Sequence, residues 1–275
     1  MSKWKLNLDQ VTDICQRYPQ GESSVSLARD MSVCEGTIRR QLIQHGIPIR
    51  SRSEAARKYV VDCSRFSEIS TQEQAYWLGF IAADGCVYHN KLQILLQRGD
   101  KKHLTQLLAF LGSNHPVYDV LSGGFIKGGE QCLLHIQSKE LVLDLIRHGV
   151  HPRKSFTLEW PEFLSRQLLC HYLRGYVDGN GTWMVLVRKS RPRRSFSFSI
   201  CSNRRFLEGA QAFLMEACDL RQTKFKVVNR HPESTDICAL RYDGRYQVGR
   251  IFHLLYEGAT IWLPRKREKI EPLLG

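Results

Sequence analysis

The feature that most constrains this chain is a ten-residue string that occurs twice. Tyr76-Trp77-Leu78-Gly79-Phe80-Ile81-Ala82-Ala83-Asp84-Gly85 is matched by Tyr172-Leu173-Arg174-Gly175-Tyr176-Val177-Asp178-Gly179-Asn180-Gly181. In each copy an apolar run ends in a small residue, a polar side chain and a glycine. The pattern predicts a buried helix in each copy. Gly79 and Ala83 then share one face of the first helix, and Gly175 and Gly179 one face of the second, because residues four apart are stacked along a helix. Glycine inside a helix costs about 1 kcal/mol relative to alanine, so such faces are expected to pack backbone to backbone, closer than the usual ~8–10 Å. That packing would bring Asp84 and Asn180 side by side at the C-terminal ends of the pair, where an acidic cluster is costly unless it holds a cation. A duplicated helix predicts two similar domains.

The two copies resemble the motif of the LAGLIDADG homing endonucleases, and the resemblance covers residues 72–275. In that family each motif helix heads an αββαββα unit, the paired helices form the interface between units, and the final acid of each motif binds divalent metal for phosphodiester hydrolysis. The resemblance therefore implies an α+β fold: two pseudo-symmetric units, 70–160 and 161–275, forming a DNA-binding saddle. It implies a monomer that reads double-stranded DNA at a long, imperfectly palindromic site, and an origin in intron or intein mobility. It implies a metal site at Asp84, Asn180, Gly85 and Gly181 for Mg²⁺, or another divalent cation such as Ca²⁺ or Mn²⁺.

Asp84 matches the family's acid, whereas Asn180 is a neutral carboxamide in the place of the second. Cleavage is accordingly expected to be impaired or limited to nicking. Leu263-Pro264-Arg265-Lys266 echoes Arg153-Lys154 after the last helix of each unit. These lysines resemble the basic residues flanking the family's active site, so Lys154 and Lys266 join Asp84 and Asn180 as catalytic candidates. Two other readings fit the same fold: a non-cleaving DNA-binding regulator and an RNA splicing cofactor.

Charge bears on the partner. Lys and Arg number 40 against 27 Asp and Glu, a net +13, with the excess concentrated in the last third of the chain. Basic faces bind phosphate backbones through counterion release. Nine cysteines are scattered without a Cys-x-x-Cys pair, which points to free thiols in a reducing, intracellular compartment: cytoplasm, nucleoid or an organelle. No apolar run reaches membrane-spanning length, and Met1 to Lys5 lacks an apolar signal stretch.

Residues 1–58 read as a small all-helical module, with helices over Asp9–Tyr18, Ser24–Met31 and Cys34–His45. Ala28, Val33 and Ile38 have the spacing that packs a helix-turn-helix. Gly36 to Leu42 resembles the recognition helices of resolvase-like domains, which marks Thr37, Arg39 and Arg40 as DNA-binding candidates. Arg50 and Arg52 follow on an extended arm beside Pro48, suited to a minor groove. Residues 59–69 read as a linker, after a possible short helix over Glu54–Tyr59.

Ser70 and Glu73 form a Ser-x-x-Glu capping box for the first motif helix, and Pro161 fits the first turn of the second. Each is followed by strand, strand, helix, strand, strand, helix. In Lys91–Gln97, Leu92, Ile94 and Leu96 alternate with Lys91, Gln93, Leu95 and Gln97, so one face is core and the other presents side chains that can reach base edges. In the second unit Phe196, Phe198 and Ile200 face inward and Ser195, Ser197 and Ser199 outward. Lys189, Arg191, Arg193 and Arg194 make a basic connection suited to phosphates. Lys224, Lys226 and Arg230 share one face of a later strand. The scattered histidines lack ligand spacing and read as surface or satisfied residues.

Overall fold

The structure is a computed structural model that describes residues 6–50, 59–121, 128–188, 191–228 and 237–274, with no account of the side chains of 186–188, 191–193 and 274. It comprises two compact units, Met1–Tyr59 and Val60–Gly275.

The smaller unit holds α1 (Leu8–Arg17), α2 (Ser24–Asp30) and α3 (Glu35–Gln44). Asn7 and Gln10 exchange side-chain to backbone hydrogen bonds at the start of α1, and Ser23 caps α2. The amphipathic spacing buries Ile14, Tyr18, Leu27, Ala28, Ile38 and Leu42, with Val33 packed against them. The chain turns between α2 and α3 at Ser32, whose φ of 54° is left-handed. Arg17 ties α1 to the following loop and to α2 by binding Asp13, Glu22 and Asp30 at 2.9, 2.7 and 2.5 Å.

The larger unit repeats one helix and strand order twice. Its first repeat is α4 (Gln72–Asp84), β1 (Gly85–Tyr88), β2 (Lys91–Gln97), α5 (Lys101–Phe110), β3 (Val117–Leu121), β4 (Glu130–Gln137) and α6 (Lys139–Arg147). The second is α7 (Arg166–Asn180), β5 (Gly181–Arg188), β6 (Arg191–Asn203), α8 (Arg204–Cys218), β7 (Lys226–Val227), β8 (Ile237–Asp243) and α9 (Arg245–Tyr256). Two one-turn helices, α10 (Pro264–Arg267) and α11 (Glu271–Leu274), follow. Each repeat folds into a four-stranded antiparallel sheet, ordered β1-β2-β4-β3 and β5-β6-β8-β7. This is an α+β fold. Alternation along the strands puts Leu92, Ile94 and Leu96, and Phe196, Phe198 and Ile200, into one continuous core with the motif helices.

Three boundaries differ from those read in the sequence. The box that starts α4 is Thr71 with Gln74, one residue later than Ser70 and Glu73: Thr71 Oγ1 accepts from the Gln74 amide at 3.2 Å, and Gln74 Oε1 accepts from the Thr71 amide at 3.0 Å. The second motif helix begins at Arg166, capped by Ser165, while Pro161 lies in the preceding turn. The stretch expected as a linker over 59–69 is packed against the larger unit's core from Val61 onward. Val61 and Phe66 are buried and the Asp62 amide donates to the Leu111 carbonyl at 2.8 Å. Residues 51–58 lie outside the described residues, and with them most of the short helix expected over Glu54–Tyr59.

Among the described residues no helix is long and apolar enough to cross a membrane. All nine cysteines are free.

Candidate functional site

The site is built by the contact between α4 and α7. A Cβ placed on Gly79 would lie 1.9 Å from the Tyr172 carbonyl oxygen, and one on Gly175 would lie 1.9 Å from that of Tyr76. The contact is reciprocal, and only hydrogen fits at either position. Toward the C-terminal ends, a Cβ on Gly179 would meet Ala83 Cβ at 2.4 Å and the Asp84 carboxyl at 3.2 Å. Asp84 therefore leans against the residue before Asn180. Gly85 and Gly181 make the turn from helix to strand so tightly that a Cβ would lie 2.6 and 2.5 Å from the carbonyls of Ile81 and Val177.

Both predicted lysines come to these ends. Lys154 Nζ donates to the carbonyl oxygens of Ala83, at 3.3 Å, and of Gly85. Lys266 Nζ donates to that of Gly181. The backbone oxygens of Gly85 and Gly181, expected as metal ligands, thus accept from ammonium groups. Each carbonyl keeps a second lone pair. Arg153, with φ 59°, turns the chain left-handed just before Lys154. Burial lowers the pKa of both lysines, and at Lys266 the neighbouring Arg265 lowers it further. Burial raises the Asp84 pKa, while Lys266, Lys154 and Arg265 pull it back down. Asn180 is exposed and its Nδ2 donates to Tyr176 Oη at 3.4 Å. A cavity of about 170 Å³ opens beside it, lined by Lys154, Tyr176, Asn180 and Ser202 among others.

The set that could ligate a cation is one carboxylate and one amide oxygen; the two ammonium groups beside them have no lone pair to offer a metal. Among the described residues no group of three or more His, Cys, Asp or Glu side chains could hold a metal ion. The set still fits Mg²⁺, which keeps most of its waters and is commonly held by one or two carboxylates plus substrate phosphate.

A second polar group lies in the helix interface and was not expected from the sequence. Asp178 is fully buried. Its carboxylate accepts from Tyr76 Oη at 2.8 Å, Tyr256 Oη at 2.5 Å and the Leu263 amide at 2.7 Å. Burial nevertheless raises its pKa to about 6. Arg174, also fully buried, donates to the carbonyls of Ile261 and Leu255 at 3.0 and 3.1 Å and stands over the Tyr76 ring at 5.2 Å. A signal was present: Arg174 and Asp178 stand where the first copy has Leu78 and Ala82, and they are four apart on one face. The buried histidine of this region, His103, is satisfied by Tyr76 Oη at 2.9 Å and Gln106 at 3.1 Å.

The expected DNA-contacting residues divide by their surroundings. On the first sheet Lys91, Gln93 and Gln97 lie on one face, in register with Gln137, His135 and Gln131 of β4. Gln97 is exposed and the other two are half-buried. On the second sheet Ser199 is half-buried beside Thr182 and Arg241, but Ser197 is 4% exposed, flanked in register by Met184 and Asp243. Ser197 therefore does not offer the free hydroxyl that alternation predicts. Arg194, Lys224 and Lys226 are exposed. Arg191 and Arg193 belong to strand β6 rather than to a connecting loop. Lys189, Arg230 and Arg52 lie outside the described residues.

In the smaller unit Arg39 and Arg40 are exposed, Arg39 lying 3.7 Å from Glu35, and Thr37 is half-buried against Cys34 at 3.2 Å. Arg50 departs from the expected groove-binding arm. Its guanidinium stacks 4.2 Å over the Tyr18 ring and donates to the carbonyls of Gly21 and Glu22, and its amide donates to Tyr18 Oη at 3.0 Å. Folding back onto an aromatic face gives both terminal nitrogens carbonyl partners within the unit, while Nε is buried without one.

No family model and no curated protein matches the chain. Solved structures similar to it are LAGLIDADG proteins. The homing endonuclease I-GzeII in complex with its DNA target is 12% identical over 70% of this chain and 86% of its own, with a TM-score of 0.48. Mesophilic variants of the homing endonuclease I-DmoI are 16% identical over 77% of this chain and 99% of theirs, also at 0.48. The N-terminal LAGLIDADG domain of WhiA is 13% identical over 72% and 90%, at 0.44.

Proposed function

We propose that this chain is a DNA-binding protein of the homing-endonuclease type that reads a long duplex site through its two sheets and hydrolyses phosphodiester bonds at the paired helix ends, weakly because one acid is an asparagine. The observation that carries the reading is the doubled arrangement at those ends: Lys154 on the Gly85 carbonyl and Lys266 on the Gly181 carbonyl, with Asp84 between the helices. Two ammonium groups, each on the carbonyl that follows a motif helix and both near Asp84, suit a diester anion. Each would neutralise the charge that grows on the phosphoryl oxygens as the bond to the leaving oxygen lengthens. A divalent cation held by Asp84 would supply the activation of water and the stabilisation of the leaving oxygen. Asn180 can orient a water through its amide but brings no charge, so its side of the pair is weaker.

Exposed Arg194, Lys224 and Lys226 supply phosphate contacts, and Lys91, Gln93 and Gln97 reach base edges. The sheets differ in sequence, so the half-sites differ too. Residues 1–58 extend the footprint rather than perform chemistry, through Arg39 and Arg40 on α3. Free cysteines suit a reducing interior. A monomer suffices, because the chain carries both repeats.

The exposed amide of Asn180 also favours a second reading, a regulator that binds and does not cut. Selection from a randomised duplex library, followed by gel shift of the selected duplex against a folded RNA of equal length, tests the shared premise. Tight binding to duplex with a long footprint is expected. Preference for the RNA would move the chain to the splicing-cofactor class.

A further inference from the structure

The lysine-bearing turns are each fixed by the opposite repeat. Asp100 immediately precedes α5 and Asn203 immediately precedes α8, so they occupy equivalent places in the two repeats. Asp100 is 5% exposed and its carboxylate accepts from Arg265 Nε at 2.7 Å, in the turn that carries Lys266. Asn203 is 2% exposed and its Nδ2 donates to the carbonyls of Leu158, at 2.8 Å, and Ser155, at 3.5 Å, in the turn that carries Lys154. Asp178 adds to the first strut, since it holds the Leu263 amide while accepting from Tyr76 of the other repeat.

The geometry points to Asp100 and Asn203 as crossed positioning residues: each sets the lysine that serves the other repeat's helix end, so that neither lysine is placed unless the repeats are docked. This rests on the reading of Lys154 and Lys266 as part of the hydrolytic centre. Its chemical consequence is that the two strand cuts depend on opposite struts. A lysine whose turn is released gains solvent and mobility. It then no longer lies against the carbonyl beside Asp84 or Asn180.

Two near-isosteric substitutions isolate the struts. Asp100→Asn removes the charge facing Arg265, and Asp100 makes no capping hydrogen bond to its helix. Asn203→Asp keeps the oxygen that accepts from the Phe206 amide at 3.0 Å, and so keeps the cap, while removing the donor to Leu158. Asn203→Ser also caps the helix and is too short to reach Leu158, which guards against charge effects or misfolding in the Asp variant. The whole chain and each variant are treated with an amine-acylating N-hydroxysuccinimide ester, and the labelling rate of each lysine is read by peptide mass spectrometry. Asn203→Asp and Asn203→Ser should speed labelling of Lys154 several-fold and leave Lys266 unchanged; Asp100→Asn should do the reverse. A rise in both lysines together, a rise in the wrong one or no change would overturn the proposal. The readout needs no cleavage, so it stands apart from the fate of the nuclease reading. Where the Asn180→Asp chain cuts its selected site, the struts should slow opposite strands with Kd within about twofold of the parent, since binding surfaces are untouched.

Discussion

Gly175 packs so closely against Tyr76 that a Cβ would sit 1.9 Å from the tyrosine carbonyl oxygen, and Gly79 stands in the same relation to Tyr172. This reciprocal pair sets the separation of the helix ends and hence the position of Asp84. Gly175→Ala cannot be absorbed by a side-chain shift, because the atoms it meets are backbone. Overpacking of this kind costs about 1–3 kcal/mol, and in a unit of this size each kcal/mol shifts Tm by roughly 2–4 °C. Thermal unfolding should show a fall of several degrees or more for Gly175→Ala or Gly79→Ala. A Tm within one degree of the parent would mean the helices are not in this contact.

Asp178 gives the larger unit a pH dependence of definite sign. Its pKa is pushed up by burial, from 3.8 to about 6, so the folded chain binds a proton there that the unfolded chain releases. Stability from this group is present below about pH 4 and is lost as pH rises to about 6, on the order of 3 kcal/mol. His103 and His171, held down to about 4 by burial, run the opposite way over much of the same range. The difference between parent and Asp178→Asn therefore isolates the carboxyl. Urea midpoints at pH 4 and pH 7 should show that Asp178→Asn gains relative to the parent as pH rises. Parallel curves would place the titration elsewhere.

The order of elements and most faces of the strands were legible in the sequence, because alternation such as Leu92, Ile94, Leu96 and helical spacing such as Ile38, Leu42 reflect burial directly. The duplicated glycines made the helix pair legible as well. What stayed hidden depends on partners distant in the chain. Arg174 and Asp178 look like interruptions of an apolar helix until Tyr76, Tyr256 and Leu263 surround them. Thr71 and Ser70 offer the same capping chemistry one residue apart, and only the turn from the 3-10 segment Cys63–Phe66 decides between them: the Arg65 carbonyl accepts from Gln74 Nε2 at 3.0 Å. Arg50 has the composition of a nucleic-acid arm, but Tyr18 offers it an aromatic face at closer range.

That last difference separates a structural arginine from a phosphate-binding one. Arg50→Ala should destabilise the small unit by about 1 kcal/mol, through loss of the stacking and carbonyl contacts. The salt dependence of DNA binding should not change. A flattened salt slope with unaltered stability would return Arg50 to the DNA interface.

Arg194→Glu and Lys226→Glu test the basic surface of the second sheet. Each phosphate neutralised contributes roughly 0.9 to the slope of log K against log salt on B-form DNA, so each variant should weaken binding and flatten the slope by about that amount. An unchanged slope would mean that these exposed side chains face solvent in the complex.

In the proposed reaction Asp84 and the position of Asn180 form the hydrolytic pair. Asn180→Asp restores a carboxylate of the same size where the amide now stands, raising the attraction for a divalent cation without altering the fold. The decisive measurement is cleavage of a supercoiled plasmid carrying the selected site, with Mg²⁺, by the parent chain, by Asn180→Asp, and by Asn180→Asp combined with Asp84→Asn. Slow nicking at most by the parent, linearisation by Asn180→Asp and loss of linearisation in the double variant are the predicted results. Rapid linearisation by the parent, or no cleavage gained on restoring the acid while tight binding persists, would rule out Asp84 and position 180 as that pair.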